Sequence, residues 1–392
     1  MEGSSHNSLS EDVLVGILAR VPVKALLRLR SVCKSWKSMI GSPEFNSLHL
    51  STNRHSSKIL LIARDREQCR VGRPKKRCFV LNNDENLPSD PSWLTPLDFP
   101  FEYPDWTSPH IVGSINGLIC ISQSLSYDSD DAQPNLPIIL WNPTVERHVC
   151  VPDPTFSLAY NASIEFGYAA ATDDYKIVVV RQLGETIAPE FHVYSLNSNA
   201  WRGGFEMCPP TAARVRKRGD RRVFASTRAF VGGKMHWLVS NDFVREPCYN
   251  TLYTFDVAEE VFAEVGLPEE VINPHHKLPE VAVVEDLLHV VQSTPIGWTI
   301  WVKMEDAGCC DVYWKKLYRV DVNVNAVFVC LLKNGELVMD KNPAVDVALA
   351  AYDSRDGKFI KDLEPLSLSQ QRAFGTVYSS NHQQSLVLLD RT

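Results

Sequence analysis

The chain has 392 residues, of which 44% are hydrophobic and 22% charged, and its formal net charge is −7. These values are typical of a folded protein with a large apolar core, and they exclude a wholly disordered or collagen-like chain. No stretch reaches the roughly 18 uninterrupted apolar residues that a membrane-spanning helix requires, and the first residues are polar and acidic. We therefore expect a protein that is neither secreted nor inserted in a membrane. The ten cysteines include no C-x-x-C pair, which predicts reduced thiols in the cytosol or nucleus.

The charge is distributed unevenly along the chain. Residues 1–50 contain six basic and four acidic side chains, a net +2, so the remaining residues must carry −9 to give the total of −7. A small basic unit joined to an acidic body indicates a separate element that docks an acidic partner. A solvated basic helix face would give the same count, and charge alone does not separate the two interpretations.

The N-terminal unit begins with a predicted amphipathic helix. Its apolar residues recur at the i, i+3 and i+4 spacing of one helix face: Val13, Leu14, Ile17, Leu18 and Val21. Residues 8–11 (SLSE) fit a capping box with Ser8 or Ser10 as the N-cap, and Pro22 ends the helix.

Two further short helices are predicted, one over residues 23–30 and one from Val32 to a stop at Gly41-Ser42-Pro43. Three helices of this length bury little apolar surface by themselves. We therefore expect the bundle to complete its core with a partner.

These helices lie in a motif that resembles the F-box, in the form common among plant F-box proteins. The motif runs through residues 9–12 (LSED), 17–28 (ILARVPVKALLR) and 31–36 (SVCKSW). The resemblance implies docking to the Skp adaptor of SCF ubiquitin ligases and, through it, to a cullin scaffold. It also implies an adaptor-binding set, in which the last two residues brace the third helix: Leu9, Ile17, Leu18, Pro22, Val23, Leu26, Leu27, Val32 and Trp36.

One position departs from the family pattern, because Ser10 stands where the family usually has proline. The change removes an apolar contact and some rigidity, which lowers the expected adaptor affinity, although Ser10 can act as an N-cap. The alternative is a helical bundle that packs on its own body and has no partner.

After residue 50 the periodicity changes to that of β-strands. Short runs of alternating β-branched and aromatic residues are separated by turn residues, and no long amphipathic helix pattern interrupts them. The runs that predict strands include 58–63 (KILLIA), 176–181 (KIVVVR), 252–257 (LYTFDV), 298–303 (WTIWVK) and 385–389 (SLVLL). We expect the first and last of these runs to pair and close the body into a ring.

Two short patterns recur along the body. A turn followed by a strand appears at Asn116-Gly117, Gly232-Gly233, Glu285-Asp286 and Asn334-Gly335. A strand ending in Asn or Asp appears, with successive spacings of 55, 59, 65 and 32 residues, at Asn142, Asn197, Asp256, Asp321 and Asp353. Gly117 and Gly233 are 116 residues apart, and Gly233 and Gly335 are 102 apart. Each interval is close to twice the roughly 50-residue period of a propeller blade. The final interval of 32 means that one loop is short or that one assignment is wrong.

These elements resemble the plant F-box associated, or kelch-like, interaction domain. The matching stretches, which cover most of residues 111–268, are 116–120, 140–144, 166–168, 174–178, 193–196 with Trp201, and 233–237. The predicted fold class is α+β multidomain, with a small three-helix F-box followed by an all-β kelch-like propeller of about six blades. The predicted boundaries are a flexible N-terminus at 1–8, the F-box at 9–50, the first propeller strands with a basic loop at 51–110, and the F-box associated propeller at 111–392.

The sequence contains no recognisable arrangement of catalytic residues, so we expect a protein that is not an enzyme and has no cofactor or metal. Motifs for phosphate binding, dinucleotide binding, a nucleophile elbow and a zinc protease are absent. His275-His276 lack a third ligand nearby, and the predicted strand histidines His192, His236 and His289 are typical of hydrogen-bonded propeller residues. A metal-dependent propeller enzyme stays open as the alternative that metal analysis would test.

Two basic runs, 64–77 and 214–222, lie between predicted strands. Residues 72–77 (GRPKKR) have a pattern typical of a nuclear localisation signal, and both runs could contact an acidic target or be solvated loops. Without interleaved aromatic residues the sequence does not favour nucleic-acid binding. We expect a target protein to contact loops on one propeller face, through Trp106, Arg216, Lys217, Arg218 and Trp298.

The predicted function is that of a substrate-recognition subunit of an SCF ligase. The F-box docks the Skp adaptor, and the propeller presents an unknown target protein for ubiquitination by proximity. The alternative is an F-box scaffold or competitor that acts outside the ligase. We expect the protein in the cytoplasm and/or nucleus, with no membrane partner.

Overall fold

The computed structural model describes residues 10–53, 58–64, 76–82, 94–99, 101, 107–125, 137–154, 156, 162–181, 190–206, 223–240, 249–271, 279–294, 297–305, 312–321, 327–332, 334–341, 349–354, 356–362 and 378–388. The chain begins with four α-helices: α1 Glu11–Leu18, α2 Val23–Leu29, α3 Lys34–Ile40 and α4 Pro43–Thr52. No helix in these ranges is long and apolar enough to cross a membrane.

The prediction of three helices is wrong, because the predicted stop at Gly41-Ser42-Pro43 is also the start of α4. Proline is favoured in the first turn of a helix, where its missing N–H would have no intrahelical partner. The Ser42 hydroxyl accepts a hydrogen bond from the Phe45 backbone N–H at 3.1 Å. The residues that end α3 therefore also cap α4.

The remaining described elements are 24 β-strands, in six four-stranded antiparallel sheets, and a short 3-10 helix, Glu269–Val271. The first sheet combines both ends of the body: β1 Lys58–Arg64, β2 Lys76–Asn82, β3 Leu94–Leu97 and the C-terminal β24 Tyr378–His382. The second sheet contains β4 Thr107–Ile115, β5 Leu118–Leu125, β6 Ile139–Asn142 and β7 Arg147–Cys150. The third contains β8 Ala162–Ala169, β9 Asp174–Arg181, β10 Glu190–Ser195 and β11 Ala200–Glu206.

The last three sheets are also made of consecutive strands. The fourth contains β12 Val223–Val231, β13 Lys234–Ser240, β14 Tyr249–Asp256 and β15 Val261–Gly266. The fifth contains β16 Glu280–Val284, β17 Leu287–Thr294, β18 Gly297–Glu305 and β19 Val312–Asp321. The sixth contains β20 Val327–Leu331, β21 Leu337–Asp340, β22 Leu349–Asp353 and β23 Lys358–Asp362.

The sheets form a closed β-propeller. The first strands in the spatial order of the six sheets, β4, β8, β12, β16, β20 and β24, neighbour one another in cyclic order and surround a common axis. The ring closes through antiparallel pairing of β1 with β24, in which Leu60 lies opposite Ser380. Closure by residues 385–389, as predicted from their apolar alternation, is wrong, because residues 383–388 form no strand and Leu386 packs against the helices.

The four predicted turns are confirmed, since each joins the first and second strands of its sheet. Asn116 and Gly117 both have positive φ angles, as do Glu285 and Asp286, which is the conformation that a two-residue hairpin turn requires.

The broken period of the Asn or Asp pattern came from one wrong assignment. Asn142, Asn197, Asp256 and Asp353 lie where a third strand turns into a fourth, whereas Asp321 ends the fourth strand, β19. When the end of β18 at residue 305 replaces it, the spacings become 55, 59, 49 and 48 residues. The Asn142 and Asp256 side chains each accept a backbone N–H from two residues ahead, at 2.9 and 3.0 Å, which explains why short polar acceptors recur there.

The core of the propeller lies between adjacent sheets. Strand β9 is buried at seven of its eight residues because both of its faces are covered. Ile177 and Val179 pack toward the sheet of β4–β7, whereas Val178 and Val180 pack toward the sheet of β12–β15. Alternate residues of one strand thus join three neighbouring sheets into a rigid body.

Candidate functional site

The helical head, defined here as residues 10–53, has an interior formed by all four helices. Leu18, Val23, Leu26, Ile40 and Phe45 are at most 3% exposed. Burying side chains of this size contributes about 1.5–3 kcal/mol each. Such burial matters here because α1, α2 and α3 have only seven or eight residues and form few backbone hydrogen bonds.

Three residues of the predicted adaptor-binding set, Leu18, Val23 and Leu26, belong to this interior. Their assignment to the adaptor-facing surface needs correction, because α4 and the propeller cover the apolar side that the sequence left without a partner. In this structure they stabilise the head itself.

Helix α4 also satisfies the end of α1. The His49 Nε2–H donates to the Val21 carbonyl at 3.0 Å, and the Asn53 side-chain amide donates to the Ala19 carbonyl at 2.9 Å. Burial lowers the pKa of His49, so the imidazole is neutral at pH 7. Both carbonyls follow the last turn of α1 and would otherwise lack an intrahelical donor.

Other apolar residues of the head remain at the surface. Val13 is 48% exposed, Ile17 50% and Val32 61%. Val13 and Ile17 are four residues apart and therefore share one face of α1. The sequence placed Val13 on the apolar face of α1 but did not include it in the adaptor-binding set, although its spacing from Ile17 was a usable signal.

The remaining residues of the predicted adaptor-binding set differ in their exposure to solvent. Pro22 is exposed, whereas Leu27 and Trp36 are partly buried against the interior of the head. Leu9 lies outside the described residues. The exposed members of the set are therefore Ile17, Pro22 and Val32.

Basic side chains surround these apolar residues in the sequence. The exposed cations of the head are Arg20, Lys24, Arg28, Lys34 and Lys37, against the exposed acids Glu11, Asp12 and Glu44. This excess of positive charge favours the approach of an acidic partner.

The departure at Ser10 has a visible structural consequence. Ser10 occupies the N-cap position of α1 with an extended backbone, but its side chain makes no capping hydrogen bond. The expected compensation by its hydroxyl is therefore absent. Glu11 and Asp12, in the first turn, supply the negative charge that the helix dipole favours.

The head is seated on the propeller through two segments far apart in the sequence. Val145, in the turn between β6 and β7, and Leu386, after β24, complete the interior of the head. The Gln383 side-chain amide donates to the Leu50 carbonyl at 2.9 Å. Sequence reasoning missed this contact, although residues 140–144 (LWNPT), next to Val145, had been singled out as a motif.

Gly117 allows the C-terminal segment to approach the turn between β4 and β5. Its φ angle is +79°, and a Cβ added there would overlap the Gln383 carbonyl oxygen and lie 2.5 Å from Ser385 Oγ. We expect Gly117→Ala to lower the free energy of unfolding by about 2–4 kcal/mol, since left-handed strain and steric overlap add. Urea denaturation of the purified variant measures this loss.

Gly233→Ala is the matched control for that experiment. Gly233 has a φ of +74° in the equivalent turn, but an added Cβ would meet no atom within 4 Å. We expect a loss of about 1–2 kcal/mol from backbone strain alone. Equal losses in the two variants would contradict a close contact at Gly117.

Strand directions place the connections of the propeller on two faces. Antiparallel strands make successive connections alternate between the ends of a sheet. Since Val145 and the segment after β24 contact the head, the turns between first and second strands and between third and fourth strands lie on the head side. The strand ends where a second strand finishes and a third begins, and where one sheet finishes and the next begins, lie on the opposite side, named here the far face.

The predicted target-binding residues relate to the far face in different ways. Arg216, Lys217 and Arg218 lie outside the described residues, between strand ends Glu206 and Val223 on the far face. Trp106 also lies outside the described residues and precedes the far-face start of β4. Trp298 is the second residue of β18, near the same face, but it is only 4% exposed and packs in the core, which corrects its assignment as a contact residue.

The described residues contain no group of three His, Cys, Asp or Glu side chains that could hold a metal ion. The His275-His276 pair lies outside them. His236 and His289 are at most 5% exposed, and burial lowers the pKa of both, to about 4 for His236. The His289 Nδ1 lies 3.0 Å from the Leu287 carbonyl, so this ring has a hydrogen-bonding role within the fold.

A helical head with the F-box sequence pattern, seated on a closed β-propeller, defines the class of F-box proteins that carry a propeller. Family models match the chain as an F-box domain over residues 7–48 and as an F-box associated beta propeller domain over residues 108–370. The chain therefore belongs to the family of the F-box associated beta propeller domain. The kelch-like character predicted from the sequence is not part of this match and stays a prediction.

Similar proteins come from Arabidopsis thaliana. The chain is 26% identical over 414 residues to F-box protein At3g07870, covering 92% of this chain and 88% of that protein. It is 24% identical over 277 residues to F-box/kelch-repeat protein At3g23880, covering 68% of this chain and 66% of that protein. Among solved structures, TolB from Acinetobacter baumannii aligns at a TM-score of 0.43 and 11% identity, covering 86% of this chain and 73% of that chain.

Proposed function

We propose that this chain is the substrate-recognition subunit of an SCF ubiquitin ligase. Its head binds the Skp adaptor, which connects it to a cullin scaffold, and its propeller binds a target protein. The observation that carries the proposal is an F-box head that keeps Ile17 and Val32 at least half exposed although its interior is complete. Exposed apolar side chains on a small folded unit are available as anchors for a partner.

The propeller positions the target protein and takes no part in the chemistry of ubiquitin transfer. The head occupies one side of the ring, so the far face is the side available to a target protein. Holding a target lysine near an activated ubiquitin raises its effective concentration, and this proximity accelerates transfer. We propose that the chain acts in the cytoplasm and/or nucleus, which imaging of a fluorescent fusion would test.

Adaptor binding is the direct test. We expect Ile17→Asp and Val32→Asp each to weaken binding of the full chain to the purified Skp adaptor by about tenfold or more, because a charge replaces an apolar anchor. Isothermal titration calorimetry measures the affinity, and a thermal melt checks the fold. Leu18→Asp is unsuitable, because it would place a charge inside the head.

Val261→Asp is the matched control, since Val261 is 56% exposed on β15 of the propeller. It introduces the same change at similar exposure and should leave adaptor affinity unchanged. A double variant of Ile17 and Val32 that binds like the unmodified chain would rule out the proposed docking surface.

The structure at Ser10 favours one further candidate, a scaffold or competitor that acts outside the ligase. Ser10 lacks both the apolar ring of the usual proline and a capping bond, so adaptor affinity is expected to be low. We expect Ser10→Pro to strengthen adaptor binding. An unmodified chain without measurable affinity, together with a binding Ser10→Pro variant, would favour the scaffold or competitor over the receptor.

A further inference from the structure

We infer that the C-terminal segment of residues 383–388, named here the strap, fixes the orientation of the head relative to the propeller and that Asn142 is the positioning residue that holds it. The inference rests on the proposed function only for its consequence, which is the geometry of ubiquitin transfer. The orientation itself is a property of this chain alone.

The strap is anchored to the propeller mainly by Asn142. The Asn142 side-chain amide donates to the Ser385 carbonyl at 3.1 Å, to the Ser385 hydroxyl at 3.0 Å and to the Val387 carbonyl at 2.9 Å. Its Oδ1 accepts the Thr144 backbone N–H at 2.9 Å, which fixes the direction of the amide. Ser385 is fully buried, and Leu388 packs in the core between the second and third sheets.

The other side of the strap belongs to the head. Leu386 is 1% exposed and lies in the same apolar cluster as Leu18, Leu26 and Phe45. Gln383 adds the hydrogen bond to the Leu50 carbonyl. Because neighbouring residues of one short segment bind the propeller and the head alternately, neither body can rotate without breaking buried contacts.

The strap gives the head a second connection to the propeller, in addition to the covalent linker that precedes β1. The head continues into β1 at Lys58, and Lys58 lies opposite His382, the residue that precedes the strap. The two ends of the described propeller thus leave the ring side by side and both reach the head. A single linker would allow rotation, whereas two connections and the Val145 contact define one arrangement.

The test measures the distance between head and propeller in the full chain. Fluorophores carried by unnatural amino acids at the exposed positions Ser38 and Glu269 report the distance by single-molecule energy transfer. We expect one narrow distance peak for the unmodified chain and its loss in Asn142→Ala and Leu386→Ala. The control is Asn197→Ala, because Asn197 follows the third strand β10 and its side-chain amide donates to the Thr172 and Asp173 carbonyls in the turn between β8 and β9, which is not part of the strap.

A narrow, unshifted peak in folded Asn142→Ala and Leu386→Ala would overturn the inference. If a thermal melt shows that these variants do not fold, Gln383→Ala decides the question, since it removes a single hydrogen bond between strap and head. An unchanged distance peak in Gln383→Ala overturns the inference, and a broadened peak supports it. In a reconstituted ligase, Asn142→Ala should keep adaptor affinity, because Asn142 lies outside the head, and should spread self-ubiquitination over more lysines. Failure of the proposed function would instead appear as absent adaptor binding with the distance peak intact.

Discussion

A chain that ends at residue 377 is expected to lose the cooperative unfolding transition of the propeller. The deletion removes β24, which pairs with β1 over five residues, from Lys58 opposite His382 to Ile62 opposite Tyr378. It also opens the ring between β20 and β4, which β24 neighbours on both sides. Without its closing strand the first sheet exposes the unpaired edge of β1 and loses its contacts with β20 and β4, so thermal melts followed by circular dichroism should show no single transition.

Two longer truncations separate the closing strand from the strap. A chain ending at 388 keeps both and should melt like the full chain. A chain ending at 382 keeps β24 and differs from the chain ending at 388 only by the strap. We expect the latter to retain the propeller transition and to lose the fixed position of the head. Cooperative melting of the chain ending at 377, at an unchanged temperature, would contradict closure by β24.

Acidification from pH 7 to pH 4 is expected to lower the free energy of unfolding by about 3 kcal/mol through His382 alone. Burial, with a smaller contribution from Lys58, lowers the pKa of His382 to about 4, whereas an unfolded histidine titrates near 6.5. Between these two values the unfolded chain binds a proton that the native chain does not. Stability is therefore complete above about pH 6.5 and is lost as the pH falls toward 4.

This histidine lies at the ring closure. His382 is on β24, and its Nδ1 lies 2.9 Å from the Ser114 hydroxyl on β4. His236, whose pKa is also lowered to about 4, adds a loss of the same sign from the fourth sheet. Acid should therefore weaken both the joint between the chain ends and the interior of the ring.

Urea denaturation between pH 4 and 7 measures the effect. His382→Gln should flatten the pH dependence by about 3 kcal/mol relative to the unmodified chain. His148→Gln is the control, because it makes the same substitution at an exposed site on β7. An identical dependence in the His382→Gln variant would exclude His382 as a source of the acid sensitivity.

Much of the secondary structure follows from local patterns in the sequence. The runs at 176–181 and 298–303 lie within β9 and β18, because strands packed on both faces require near-continuous apolar residues. The run at 385–389 has a similar pattern but forms no strand over its described residues. Apolar alternation reports burial, and Leu386 and Leu388 are buried in irregular backbone held by Asn142.

The sequence identified the segment that forms the candidate site, but it did not show which of its apolar side chains are exposed. The F-box motif identified the head, yet periodicity could not distinguish side chains that face a partner from those that face the head's own core. Leu18 and Ile17 are adjacent in the sequence, and one is 3% exposed whereas the other is 50% exposed. Which of the two is covered depends on α4 and on the propeller, whose contacts a local pattern does not contain.

The sequence by itself determined a helical, basic N-terminal unit with an F-box pattern and an acidic all-β body with recurring turns. These features depend on residues within a few positions of one another, where helix spacing, strand alternation and positive φ angles are encoded. The tertiary structure alone decided how the ring closes and where the head sits. Asn142 and Ser385 are 243 positions apart, and their contact forms only when the folded propeller brings the two ends of the chain together.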